Sequence, residues 1–353
     1  MTPTHRTGDT HIRTGLFRVA IVGAGTLKGK ELKDLLSERN FPTADVRLLD
    51  DEESMGQLES VGDEPTFIQS VMPEHLEAVD FTFFGSDSAY TATTWKLARD
   101  AGSEIIDLSY ALDSNPDAAL RAPWIDRELG RDHSQELLTK PVNVAHPAAV
   151  TLALLFLRLK KQRAIVHANA TVFEPASERG KRGMDELHDQ TVNLLSFQQM
   201  PTAVFGTQVA FNVISGYGEG TQPAMSAVEE RIVRHFTSLM GDGAPVPSLM
   251  LLQAPVFHAH TFSVYIELDS PMSVGDFEAA LSGEHVQVMR ADERPSNVNV
   301  AGSADIQVAV RADAQRPAGF WLWAAADNLR IMASLAVECA EEMISTRPRG
   351  QVQ

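Results

Sequence analysis

The chain is poor in cysteine, with one in 353 residues. That excludes an intrachain disulfide and any metal site built on several thiolates, and it leaves one thiol as a candidate nucleophile. Basic residues are also in deficit, 30 against 47 acidic ones, for a formal net charge of -17. Such a balance repels phosphates, so neither nucleic acid nor an anionic membrane is expected as a partner. Long hydrophobic runs are missing too. The longest, Ala148–Leu157, is too short to cross a bilayer and ends in Arg158, Lys160 and Lys161. Residues 1–16 are polar and lack the apolar segment of a signal peptide, so a cytoplasmic location is expected. No internal repeat is visible.

What is present is an ordinary globular composition, 44% hydrophobic and 22% charged, in a chain long enough for two domains with a core each. Residues 1–16 read as a disordered tail and 17–145 as a dinucleotide-binding domain. Residues 146–325 read as a second domain, and 326–353 as a closing helix that packs back on the first and frays at its end. In the first domain, strands at Arg18–Val22, Asp45–Leu49, Phe81–Phe84 and Glu104–Asp107 alternate with helices at Lys28–Glu38 and Tyr90–Ala101. That order predicts an α/β fold with a doubly wound, Rossmann-type parallel sheet. In the second, helices at Ala149–Lys161 and Gly183–Phe197 accompany strands at Ala164–Phe173, Leu249–Val256, Thr261–Leu268, Val286–Met289 and Ile306–Arg311. This mixture predicts an α+β domain with a mainly antiparallel sheet, closed by the helix Asp327–Ile344.

Between the first strand and helix lies Val22-Gly23-Ala24-Gly25-Thr26-Leu27-Lys28-Gly29. Gly23 permits a tight turn, Gly25 lets the backbone approach a diphosphate, and Gly29 allows close helix–strand packing. Gly23, Gly25, Thr26, Leu27 and Gly29 are therefore candidate cofactor-binding residues, although the last glycine is one residue off the strict fingerprint. The second strand runs into Asp50-Asp51-Glu52-Glu53, carboxylates that suit a ribose hydroxyl and repel a 2′-phosphate. NAD is favoured over NADP, with no cofactor as the remaining alternative.

Six segments in order resemble the aspartate-semialdehyde dehydrogenase family, over nearly the whole chain. Val19–Gly29 is similar to its V-A-I-V-G-A-T-G-x-V-G, and Phe83-Phe84-Gly85-Ser86 to F-F-S-A. Ile106–Ser109 is similar to I-D-N-S, Ala210–Ile214 to A-F-N-V-I, Pro255–His260 to P-V-x-x-G-H, and Asp327–Arg330 to D-N-L-R. The resemblance implies a homodimer or higher homo-oligomer and a small-molecule ligand. It adds Gly85, Ser86 and Asn328 to the cofactor-binding candidates. It also implies a reaction in which a cysteine thiolate attacks an aldehyde, a histidine moves protons, hydride passes to a nicotinamide, and phosphate releases the acyl group.

The chain departs from that pattern where the chemistry lies. The family's N-C-S/T-T falls on His146-Pro147-Ala148-Ala149, so Pro147 occupies the nucleophile position, and the lone Cys339 sits in the closing helix. Glu174 stands where the family has a glutamine. A substrate arginine becomes Gln253 and another becomes Asp113. Arg231 is the cation near the family's helical lysine, and Glu53 replaces the base that would meet a 2′-phosphate, which adds Glu53 to the cofactor-binding candidates. His260 matches the family histidine, which leaves His260 and Glu174 as the acid/base candidates and Gln253 and Arg231 as substrate candidates.

His258 and His260, two apart on an extended segment, would share a face and could seed a metal site with Glu174 or His146. The commoner role is polar surface, so no metal is expected. Arg179, Lys181 and Arg182 read as a solvated loop before a helix, and Trp321 and Trp323 as core or interface residues. Three readings stay open: a family member altered so that it lacks the phosphorylating dehydrogenase reaction, an NAD-dependent oxidoreductase acting without a covalent intermediate, and a non-catalytic binding or regulatory homologue.

Overall fold

The apolar run that follows Arg18 becomes the centre of a parallel sheet in the computed structural model, which describes residues 15–62, 64–137, 139–290 and 293–346. The tail expected at 1–16 lies outside the described residues except for Gly15 and Leu16. β1 (Phe17–Val22) buries Val19–Val22 completely, as a strand covered on both faces must. The chain continues through α1 (Leu27–Glu38), β2 (Thr43–Asp50), the hairpin β3 (Leu58–Val61) and β4 (Glu64–Phe67), β5 (Gln69–Ser70) and α2 (Pro73–Leu76). It then forms β6 (Phe81–Phe84), α3 (Ser88–Asp100), β7 (Glu104–Asp107), β8 (Ala119–Arg121), α4 (Pro123–Leu129), α5 (Ser134–Leu137) and β9 (Val142–Val144). Among the described residues the sheet order is β5-β2-β1-β6-β7-β9-β8, and every pairing is parallel. Strand order reverses between β1 and β6. Gly23 and Gly85 follow the ends of those two strands, at the switch point where open α/β sheets bind ligands.

The second part comprises α6 (Pro147–Lys160), β10 (Ile165–Glu174), α7 (Gly180–Leu195), α8 (Met225–Met240), β11 (Ser248–Gln253), β12 (His260–Leu268), α9 (Val274–Leu281), β13 (Val286–Val288), β14 (Ile306–Ala312), β15 (Gly319–Ala326) and α10 (Asn328–Thr346). Its sheet runs β11-β10-β12-β15-β14-β13. The central pairings are antiparallel, but β10–β11 and β13–β14 are parallel, so the sheet is mixed rather than simply antiparallel. The physical reason is the connection: β10 reaches β11 through α7 and α8, and such a long crossover permits a parallel neighbour.

The longest apolar run lies in α6, buried from Pro147 to Leu159, so it is a core helix. No helix among the described residues is long and apolar enough to cross a membrane. α10 returns to the first domain: Arg330 pairs with Glu31 at 3.0 Å and with Glu38, and Trp124 Nε1 donates to Glu338 at 3.1 Å. It runs to Thr346, past the expected start of fraying. Trp321 and Trp323 lie partly exposed on the outer face of the second sheet, with Trp323 Nε1 donating to Pro295 O at 3.0 Å.

Candidate functional site

Backbone geometry fixes the glycine turn. Gly23 has φ +88°, and a Cβ there would lie 2.2 Å from the Ser86 nitrogen; one on Gly29 would lie 2.1 Å from Gly23 O. Neither position admits a side chain. Thr26 caps α1, its Oγ1 accepting from Gly29 N at 3.0 Å and lying 2.8 Å from Gly23 O and 3.0 Å from Gly85 O. Ser86 is buried and shares a 2.8 Å hydrogen bond with Thr91. The structure thus brings together Gly23, Gly25, Thr26, Leu27, Gly29, Gly85 and Ser86 where a diphosphate would meet a helix N-terminus.

Two acidic residues differ from expectation. Glu53 is exposed and pairs with Arg182 at 3.3 Å. The carboxylate that reaches the turn is Asp50, the last residue of β2, whose Oδ2 accepts the Gly25 N–H at 2.8 Å. Burial raises the pKa of Asp50, against the opposing backbone hydrogen bonds. The position was legible in principle, since the end of the second strand is where a ribose-binding acid belongs.

Four further candidates lie along one end of the second sheet. Glu174 pairs with Gln253, His260 pairs with Ala326, and the Phe173–Thr261 pair brings Glu174 and His260 to facing positions on β10 and β12. Asn328 follows directly, its Nδ2 donating to Glu178 at 2.9 Å and its Oδ1 accepting the Ala259 N–H at 3.2 Å. It therefore belongs to this group rather than to the glycine turn. The expected pairing of His258 with His260 fails, because the chain leaves the extended conformation at Ala259, φ +68°. Strand β11 also ends at Gln253, short of the expected Val256.

The hydrogen bonds around Glu174 suit its protonated form. Gln253 Nε2 donates to Glu174 O and Ala254 O, both at 2.9 Å, which turns Gln253 Oε1 toward Tyr217. The Tyr217 hydroxyl lies 2.9 Å from that oxygen and 2.8 Å from Glu174 Oε1. It has one proton and two acceptors. Both contacts become hydrogen bonds when Glu174 is protonated and donates to Tyr217, which in turn donates to Gln253. Burial, then the neighbouring Glu178, push the Glu174 carboxyl up to about 7, which agrees with this count. Gln253 has no donor left for a substrate carboxylate.

The first turn of α6, where the family resemblance puts a nucleophile, holds no thiol or hydroxyl. His146 caps α6 through Nδ1, which accepts the Ala148 N–H at 3.2 Å, and Pro147, Ala148 and Ala149 form the buried first turn. Cys339 is buried in α10, and burial pushes its thiol well above the ordinary range, which makes it inert. The His146 ring stacks on Tyr110 at 5.4 Å and lies 5.7 Å from the His260 ring. Burial lowers the pKa of both histidines, so both are neutral. His260 has no hydrogen-bond partner on either ring nitrogen among the described residues.

The cations around the site are engaged. Lys28 Nζ donates to Leu108 O at 2.7 Å over the Tyr110 ring, and Arg231 covers the same ring. Arg231 Nε donates to Asp113 at 2.7 Å, and Arg234, His235 and Asn143 converge on the same carboxylate. Burial opposes ionisation of Asp113, but His235, Asn143 and Arg231 outweigh it and hold the carboxyl well below its usual range. Asp113 is thus a neutralised hub for the surrounding cations. Arg179 lies over Tyr217 and donates to Gln222 O and Pro223 O. Lys181 pairs with Asp185, and the expected loop is a 3₁₀ turn leading into α7.

Family models agree with this geometry. Residues 18–133 match the semialdehyde dehydrogenase NAD binding domain, and residues 158–331 match the semialdehyde dehydrogenase dimerisation domain. The chain belongs to the semialdehyde dehydrogenase family. It is similar to an aspartate-semialdehyde dehydrogenase of Rickettsia bellii, 28% identical over 94% of this chain and 99% of that protein. It is equally similar to a USG-1 protein homolog of Pseudomonas aeruginosa, 28% identical over 93% and 97%. Among solved structures, aspartate semialdehyde dehydrogenase II of Vibrio cholerae, complexed with ASA, superposes with a TM-score of 0.84 at 25% identity over 94% of this chain and 98% of that one. The chain therefore carries an NAD(P)-binding oxidoreductase fold, and its dimerisation domain points to a homo-oligomer.

Proposed function

We propose that this chain is an altered semialdehyde dehydrogenase that binds a dinucleotide but does not carry out phosphorylating oxidation of an aldehyde through a thioester. The observation that carries the reading is the first turn of α6, Pro147-Ala148-Ala149, with the single thiol buried in α10. Removing a nucleophile costs many orders of magnitude, because catalytic groups act as a unit. Two engaged anion sites support the same reading: Gln253 is bonded within its sheet, and Asp113 holds Arg231. The protein works as a homo-oligomer in the cytoplasm on a small-molecule ligand. Neither nucleic acid nor a membrane is its partner.

NAD is the favoured cofactor, because Asp50 and Glu53 would both repel a 2′-phosphate. When bound, the dinucleotide supplies hydride chemistry. Gly23, Gly25, Gly29 and Gly85 would border its diphosphate and Asp50 its ribose. Purified protein should bind NAD(H) in calorimetry and show no phosphate-dependent oxidation of aspartate semialdehyde. Turnover at ordinary enzyme rates would overturn the reading. Asp50→Ala should weaken NAD(H) binding about tenfold, the loss of one hydrogen bond to a charged group.

A second reading has its own observation. Glu174 and His260 face each other across β10 and β12, one a carboxyl raised to about 7 and the other an imidazole whose pKa burial lowers. That pair suits an NAD-dependent oxidoreductase acting on an alcohol or aldehyde without a covalent intermediate. A screen of small aldehydes with NADH, in which Glu174→Gln and His260→Ala both abolish any turnover, would favour it over a purely binding homologue.

A further inference from the structure

His260 also belongs to a second group. One ligand atom from each of His146, Glu178 and His260 lies within 4.8 Å of the other two, and His260 Nε2 is 3.8 Å from Glu178 Oε1. Both imidazoles are fully buried. His146 Nε2 and both nitrogens of His260 have no hydrogen-bond partner among the described residues. Orphaned polar atoms at this depth call for an occupant, since buried polar groups are otherwise satisfied. The nearby cations do not fill that role: Lys28 is bonded to Leu108 O and Arg231 to Asp113.

We infer that His146, Glu178 and His260 form a binding site for one divalent transition-metal ion of the zinc type. Two imidazoles and a carboxylate are a donor set that such ions accept, with a fourth position left open. Ligand bonds of about 2.0–2.2 Å place donor atoms roughly 3.3 Å apart in a tetrahedron, so the three groups must close inward by up to about 1.5 Å. Glu178 is already oriented as a ligand: Asn328 Nδ2 donates to its Oε1 at 2.9 Å, an outer-shell contact of the kind that fixes metal-binding carboxylates. Ligation by His146 Nε2 moves that ring's proton to Nδ1 and gives up the long 3.2 Å bond from the Ala148 N–H. One weak cap is exchanged for a metal bond. The site replaces the His258–His260 pair that the sequence spacing suggested and the turn at Ala259 breaks.

The test uses the full chain, stripped with chelator and then dialysed against Zn(II) or Co(II). Elemental analysis should give one ion per chain, and Co(II) should show the intense visible bands of a four-coordinate site. Glu178→Gln, His260→Ala and His146→Asn should each weaken binding at least about 100-fold. Asparagine is a good N-cap, so His146→Asn keeps α6 closed while removing the ligand, and thermal melting confirms the fold. Retention of less than a tenth of an equivalent, as when only water occupies the site, would overturn the inference. So would folded variants that bind as the parent does. None of these readouts needs dinucleotide or turnover, so they stand or fall separately from the proposed function.

Discussion

The two strand-end clusters of this molecule differ in what they keep. At the switch point of the first sheet, Gly23 and Gly29 pack backbone against backbone, and neither position admits a side chain. At the end of the second sheet, the register of Gln253, Glu174, His260 and Ala326 is regular, and the one thiol of the chain, Cys339, lies elsewhere, buried in α10. The first cluster is defined by what is missing from the backbone, so a substitution there breaks the fold. The second is defined by side chains on a rigid row, so substitutions change the chemistry and leave the row standing. A fold and the chemistry of its site are therefore set by different residues.

The sharpest way to break this contrast is Gly23→Ala. Positive φ and a backbone neighbour at 2.2 Å should together cost about 3 kcal/mol or more in denaturant unfolding. A cost below 1 kcal/mol would show that the turn is not fixed by its backbone.

Asp113→Asn comes next, because it leaves Arg231, Arg234 and His235 without their shared carboxylate. A loss of about 2–3 kcal/mol is expected. Since the carboxyl pKa is depressed, its contribution is present above the ordinary 3.8 and lost as pH falls through the lowered value. The difference between the parent and Asp113→Asn should accordingly shrink in acid.

Glu174→Gln should have the smallest effect. The amide can donate to Tyr217 as the protonated acid does, so stability at acidic pH should change by under about 1 kcal/mol. The pH dependence should change instead. A carboxyl raised to about 7 contributes stability fully below its ordinary 4.5 and loses it as pH rises toward 7. That slope should flatten in Glu174→Gln. An unchanged slope would mean that Glu174 is already ionised.

Much of the first cluster was legible, because glycine spacing between a strand and a helix has one physical use. The row Gln253, Glu174, His260 and Asn328 was reachable through the family resemblance. The contacts around it were not. Asp113 meets His235 across 122 positions, and Tyr217 meets Glu174 across 43. No local pattern encodes such pairs. The misplaced His258 had a signal: Ala259 stands where the similar family segment has glycine before its histidine, and it takes the left-handed conformation that glycine would. The family match points to Glu53, whereas Asp50, directly after the expected second strand, is the acid whose carboxylate accepts the Gly25 N–H.

The central claim is that no group in this chain forms an acyl-enzyme. Intact-mass spectrometry of the protein incubated with aspartate semialdehyde and NAD or NADP tests it most directly, beside Pro147→Cys, Ala148→Cys and Ala149→Cys variants. The parent chain should keep its unmodified mass, while a cysteine introduced in the first turn of α6 should acquire an acyl adduct. An acyl adduct on the parent chain, mapped to Cys339 or to any other residue, would contradict it.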